Sequence, residues 1–119
     1  MSERLTESRV ESCKVWEFLD DQSIRIPEII VYTEENFRGK EFRTNCDVSF
    51  VGDDFNGKIK SIIIISGIWE FYKDAEFRIG NLKNHKNSRL LNPGYYKKWE
   101  SKDSELDIEN ISSFRCLIP

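Results

Sequence analysis

Two stretches of the chain repeat one another, and a duplicated unit fixes an architecture before any single residue does. The first copy runs Ile30-Val31-Tyr32, then Asn36-Phe37-Arg38-Gly39, and closes on Asn56-Gly57-Lys58-Ile59-Lys60-Ser61-Ile62. The second runs Glu70-Phe71-Tyr72, then Glu76-Phe77-Arg78 with Gly80 close by, and closes on Glu109-Asn110-Ile111-Ser112-Ser113-Phe114. In both, a Tyr precedes a Phe by five residues and a distant Ser opens an apolar run. Two such units imply like halves sharing one core.

The 119 residues, 39% apolar and 13% aromatic, are enough for that one core. No apolar stretch is long enough to cross a bilayer, and Met1-Ser2-Glu3-Arg4 leads into no signal-type region, so a cytoplasmic setting is expected. Cys13, Cys46 and Cys116 are odd in number and widely spaced, which predicts reduced thiols. The whole net charge of −3 resides in residues 1–28. They read as an acidic N-terminal arm, weakly helical or extended, because Leu5, Val15, Trp16 and Leu19 share one side of a helical wheel while Val10 and Phe18 break the stripe.

From Ile29 the texture changes to short β-type runs: 29–32, 41–43, 61–65, 68–72, 88–91 and 112–118, punctuated by Gly, Asn, Asp and Pro. This predicts an all-β sandwich over 29–119, with one motif at 29–66 and a second at 67–119. The run Ser61-Ile62-Ile63-Ile64-Ile65 does not alternate, so its strand is expected to be covered on both faces or to lie at an interface.

Tyr32, Gly39 and Ser61 at these spacings resemble the Greek key signature of the βγ-crystallin superfamily. The junction Ser66-Gly67-Ile68-Trp69-Glu70-Phe71-Tyr72, the segment Pro93-Gly94-Tyr95-Tyr96-Lys97-Lys98-Trp99 and the close Ile111-Ser112-Ser113-Phe114-Arg115 are similar to that family in the same order. The resemblance implies a folded first hairpin in each motif. The Tyr would pack on the turn, Gly39 would take a conformation that a Cβ opposes, and the Ser hydroxyl would tie the hairpin down. Tyr32, Gly39, Ser61, Tyr72 and Ser113 are therefore fold residues, and Trp69 and Trp99 core residues. The second copy departs from the pattern: Ile79 stands at the Gly position, and Tyr72 to Ser113 spans 41 residues against 29 for Tyr32 to Ser61. The extra length is expected in 81–87 and 100–107, as candidate contact loops.

The resemblance also raises calcium, held in many members by a six-residue segment that opens on two Asp or Asn and ends on Ser or Thr followed by Ser. In 56–61, Asn56 matches, Gly57 has no side chain, and Lys60 puts an ammonium where the hydroxyl belongs. In 108–113, Ser112 matches, Glu109 is a substitute, and Ile108 does not match. Since calcium takes six to eight oxygens, these segments predict calcium binding that is weak or lost, with Asp53, Asp54, Asp107 and Glu109 as loose loop carboxylates.

No enzyme is expected: His85 is the only histidine, no phosphate loop follows a strand, and Asp20-Asp21 and Asp53-Asp54 read as solvated charge. No cofactor beyond doubtful calcium is implied. The leading expectation is a non-enzymatic structural or assembly protein that docks on protein partners, or on itself, through its arm and inserted loops. The alternative is a module for an anionic surface, acidic lipid or nucleic acid, using Arg78, Lys83, Lys86, Arg89, Lys97 and Lys98, a basic run without intervening acids between Glu76 and Glu100. Tyr95, Tyr96 and Trp99 are expected to be buried and so unavailable to it.

Overall fold

Side chains on a strand point alternately to its two faces, so even the unbroken Ile run must divide. Ile62 and Ile64 are buried, at 0% and 2% exposure, whereas Ile65 stands 47% open. The expected cover on both faces is therefore present on the inner face and incomplete on the outer one.

The computed structural model describes residues 7–13, 16–18, 23–78, 88–99 and 110–118. Among these the strands are β1 (Arg9–Cys13), β2 (Trp16–Phe18), β3 (Ser23–Arg25), β4 (Glu28–Glu34), β5 (Arg38–Thr44), β6 (Cys46–Phe50), β7 (Ser61–Ser66), β8 (Ile68–Tyr72), β9 (Ser88–Leu91), β10 (Gly94–Tyr96) and β11 (Ser113–Ile118), with a 3-10 turn at Ala75–Phe77. The runs expected from 29–32, 41–43, 61–65, 68–72, 88–91 and 112–118 correspond to β4, β5, β7, β8, β9 and β11.

Two main sheets face each other across the core, ordered β10-β7-β4-β5 and β1-β6-β11-β8-β9. Each motif lends a strand to the other's sheet: β6 of the first motif pairs with β11, and β10 of the second pairs with β7. This exchange unites the halves. Ile29, Val31, Ile62 and Ile64 from one sheet meet Val48, Trp69, Phe71 and Phe114 from the other, all buried. The Phe114 ring lies 5.9 Å from Trp69, 5.6 Å from Phe71 and 6.4 Å from Phe42. Ser66 ends β7, and Gly67 at φ +92° turns the chain into β8.

Among its described residues the arm takes the extended alternative, because Arg9–Cys13 pairs antiparallel with β6 and Trp16–Phe18 with Ser23–Arg25. A free sheet edge satisfies extended backbone groups without demanding a helical apolar stripe. Cys13 and Cys46 form a disulfide instead of remaining thiols, since β1–β6 register sets them opposite each other despite a sequence separation of 33. Cys116 is the free cysteine and is buried. Tyr95 is 75% exposed instead of buried, because it occupies the outward middle position of β10.

Candidate functional site

The two folded hairpins are built alike, down to single atoms. In the first, Ser61 Oγ donates to the Glu34 carbonyl at 2.6 Å and accepts from the Phe37 N–H at 3.0 Å. In the second, Ser113 Oγ donates to the Asp74 carbonyl at 2.6 Å and accepts from the Phe77 N–H at 3.1 Å. The rings of Tyr32 and Phe37 meet edge to face at 5.7 Å, and those of Tyr72 and Phe77 at 5.8 Å. Both tips hold left-handed non-glycine residues, Asn36 and Phe37 in one, Glu76 and Phe77 in the other. Gly39, at φ +81°, is needed for space as well: a Cβ there would lie 2.3 Å from Thr33 Oγ1.

Burial raises the pKa of Tyr32, reinforced by Glu41, and raises that of Tyr72 further, reinforced by its hydrogen bond to Glu70. Both phenols stay protonated at ordinary pH, which suits packing and donation, not proton transfer. Arg115 donates to the Tyr72 hydroxyl at 2.8 Å and covers the Tyr72 and Phe77 rings at 5.6 and 5.5 Å. The second hairpin thus carries a cation clamp beside its tie.

The ends of the two six-residue segments are each hydrogen-bonded to the other motif. Lys60 N–H donates to the Tyr32 carbonyl and Ser112 N–H to the Tyr72 carbonyl, at 2.8 and 2.9 Å. The carbonyl of Lys60 accepts from Trp99 of the other motif, and that of Ser112 accepts from Val51 of the other motif, at 2.7 and 2.9 Å. Each segment's end is therefore set against the loop that leads into its counterpart. Ser112 Oγ accordingly meets Asn56, donating to its Oδ1 at 2.5 Å. Asn110 Oδ1 lies 3.4 Å from where a Cβ at Gly57 would stand.

The matching half of each segment is thus brought to one place: Asn56 from the first and Ser112 from the second, with Asn110 beside them. Asn110 escaped the sequence reading because the six-residue pattern leaves its third position open; only the crosswise geometry identifies it. Lys60 is exposed, and its backbone carbonyl is the one that accepts the Trp99 N–H. Ile108, Glu109, Asp107 and the loops 81–87 and 100–107 lie outside the described residues, as do His85, Lys83, Lys86, Ile79 and Asp20-Asp21. Asp53 and Asp54 are exposed, and Asp54 faces Lys40 at 3.5 Å. Among the described residues no group of three His, Cys, Asp or Glu side chains forms a metal cluster.

The described members of the basic run stand in different settings. Arg78 pairs with Glu76 at 3.5 Å, Arg89 lies 5.0 Å over the Trp99 ring, and Lys97 and Lys98 are exposed in the turn after β10. Among the described residues, no helix is long and apolar enough to cross a membrane.

Paired Greek key motifs, each with a Ser-tied folded hairpin and an exchanged strand, define a class of two-motif sandwich. The Beta/Gamma crystallin family model matches residues 28–117, and the chain belongs to that family. Beta-crystallin B1 of Sus scrofa is 27% identical over 88 residues, covering 74% of this chain and 32% of its own. The chain thus spans about a third of the length of the curated relatives it first matches. A betagamma-crystallin from an archaeon is 34% identical with a TM-score of 0.63, over 78% of this chain and 100% of that one. A beta gamma crystallin of Ciona intestinalis is 27% identical with a TM-score of 0.59, over 76% of this chain and 99% of that one.

Proposed function

We propose that this chain is a non-enzymatic structural domain that assembles with protein partners, or with itself, through its N-terminal arm and inserted loops. The observation that carries the reading is β1, which extends the five-stranded sheet and forms its outer edge. An edge strand offers a row of backbone donors and acceptors to another chain. Val10 stands on it 47% exposed, with Glu7, Ser8 and Glu11 also open. A cytoplasmic setting is part of the same proposal. The full-length chain is expected to elute above the mass of a 14.1 kDa monomer or to retain partners through purification. Val10→Lys, which places a charge on the edge without touching the core, is expected to abolish that association with unchanged thermal stability. A lone monomer in both cases would sink the proposal.

Weak calcium binding is a second reading, supported by the meeting of Asn56 and Ser112. Calcium there would bridge the two motifs, held by Asn56 Oδ1 and Ser112 Oγ with Asn110 alongside. Three neutral oxygens fit such an ion poorly, because affinity rises with ligand charge. Titration calorimetry is expected to give a dissociation constant near ~10⁻³ M, the weak end of protein calcium sites. Asn56→Ala and Ser112→Ala should each remove the heat, whereas Lys60→Ala should leave it. A submillimolar constant, or insensitivity to Ser112→Ala, would contradict this assignment. The basic run finds less support as an anion site, since Arg78 and Arg89 already face Glu76 and Trp99.

A further inference from the structure

The arm is covalently fastened to the sheet at one point only among the described residues, and that point is chemically reversible. Cys13 of β1 is bonded to Cys46 of β6. Cys13 is exposed, Cys46 is 7% exposed, and the remaining thiol, Cys116, is wholly buried. A reductant from solution therefore meets Cys13 Sγ first.

Without that bond, little of what is described holds the arm down. The β1–β6 ladder pairs Arg9 with Phe50, Val10 with Val48 and Cys13 with Cys46, and shifts register between each pair. No side chain described in 7–13 is buried. Ser49 Oγ donates to Glu11 at 2.6 Å, and Arg9 pairs with Glu76 at 3.4 Å across exposed surface. Such exposed ion pairs contribute little. Arg9 Nε is buried without a hydrogen-bond partner, a cost that release of the arm would relieve. Ordering an extended segment against its conformational entropy thus depends heavily on the cross-link.

We infer that Cys13–Cys46 is a redox latch: a dithiol reductant opens it, releases Arg9–Cys13 and turns β6 into a free sheet edge. One thiolate of the dithiol attacks Cys13 Sγ, forming a mixed disulfide and expelling the Cys46 thiolate. The second thiolate of the dithiol then displaces Cys13, leaving the reductant as a cyclic disulfide. Two electrons pass to the protein cystine, and the two protons of the dithiol end on Cys13 and Cys46. The exposed edge Cys46–Phe50 then presents unpaired backbone groups to an incoming strand. The inference rests on the proposed assembly role only for the use made of that edge; the release itself needs no partner.

The test uses the full-length chain equilibrated in oxidised or reduced dithiothreitol, with no partner present. Oxidised protein should show one alkylatable thiol after unfolding, and reduced protein three, as Cys13, Cys46 and Cys116. Reduction should speed tryptic cleavage after Arg9 by about 10-fold or more and raise hydrogen exchange in β6 to a similar degree, while β7 and β8 stay protected. Cys13→Ser, a change at an exposed position, should behave as reduced protein under both conditions. Three free thiols in the oxidised sample, or an arm as protected in reduced protein and in Cys13→Ser as it is in oxidised protein, would overturn the latch. Both readouts are taken with no partner present, so a failure of the assembly reading leaves the latch standing.

Discussion

Phe114→Ala is expected to lower unfolding free energy by about 3–5 kcal/mol, enough to threaten a domain of ordinary stability. Phe114 is fully buried on β11, the strand that sits between β6 of the first motif and β8 of the second. Its ring touches the aromatic cluster from three directions, with Trp69, Phe71 and Phe42 within 5.6 to 6.4 Å. Truncation would remove apolar burial and leave a cavity that rings fixed on two sheets cannot easily fill. Urea unfolding followed by Trp fluorescence checks the value. Tyr95→Ala serves as the control: at 75% exposure it should stay within about 0.5 kcal/mol of the parent. Equal losses in the two variants would mean that the core is not centred where Phe114 lies.

The hairpin chemistry was legible because its determinants are local. Tyr32, Phe37, Gly39 and Ser61 describe one folded corner, and the same residue types at Tyr72, Phe77 and Ser113 describe the other. What escaped was whatever depends on partners distant in sequence. The strand Cys46–Phe50 is missing from the expected runs: its second residue is Asp47, a charged residue that is nonetheless buried, its carboxylate accepting the Cys116 N–H at 2.9 Å. That bond becomes available only once β6 lies beside β11. The same non-local pairing hides the Cys13–Cys46 bond and exposes Tyr95, whose surroundings depend on β10 joining the first motif's sheet.

The ion segments carry the same lesson with a functional consequence. Scored along the chain, the first retains Asn56 and loses Gly57 and Lys60, while the second retains Ser112 and loses Ile108, so both look degraded. Paired across the molecule, Asn56 and Ser112 meet, while Lys60 stands exposed away from that pair with its carbonyl on Trp99. Lys60→Ser alone would therefore restore only a single ligand and is no substitute for the Asn56 and Ser112 tests. Asymmetry between two copies of one unit is legible in sequence; which loss falls beside which is a property of the fold.

Ser61→Ala and Ser113→Ala are each expected to cost about 1–3 kcal/mol, and the double variant close to their sum. Each hydroxyl donates to one carbonyl and accepts one N–H at the tip of its own hairpin, and the two share no partner. Removing it leaves a buried acceptor and a donor unsatisfied while Asn36-Phe37 or Glu76-Phe77 remains in a left-handed conformation that non-glycine residues resist. Chemical denaturation measures the loss, and hydrogen exchange at the Phe37 or Phe77 amide locates it. The two variants should differ in one respect. Ser113 adjoins Ser112, whose hydroxyl meets Asn56, so Ser113→Ala should also weaken calcium binding, whereas Ser61→Ala adjoins only Lys60 and should not. Loss of stability without a local rise in exchange would place the effect elsewhere than in the tie. Equal calcium responses would mean that the crosswise pairing does not govern the ion site.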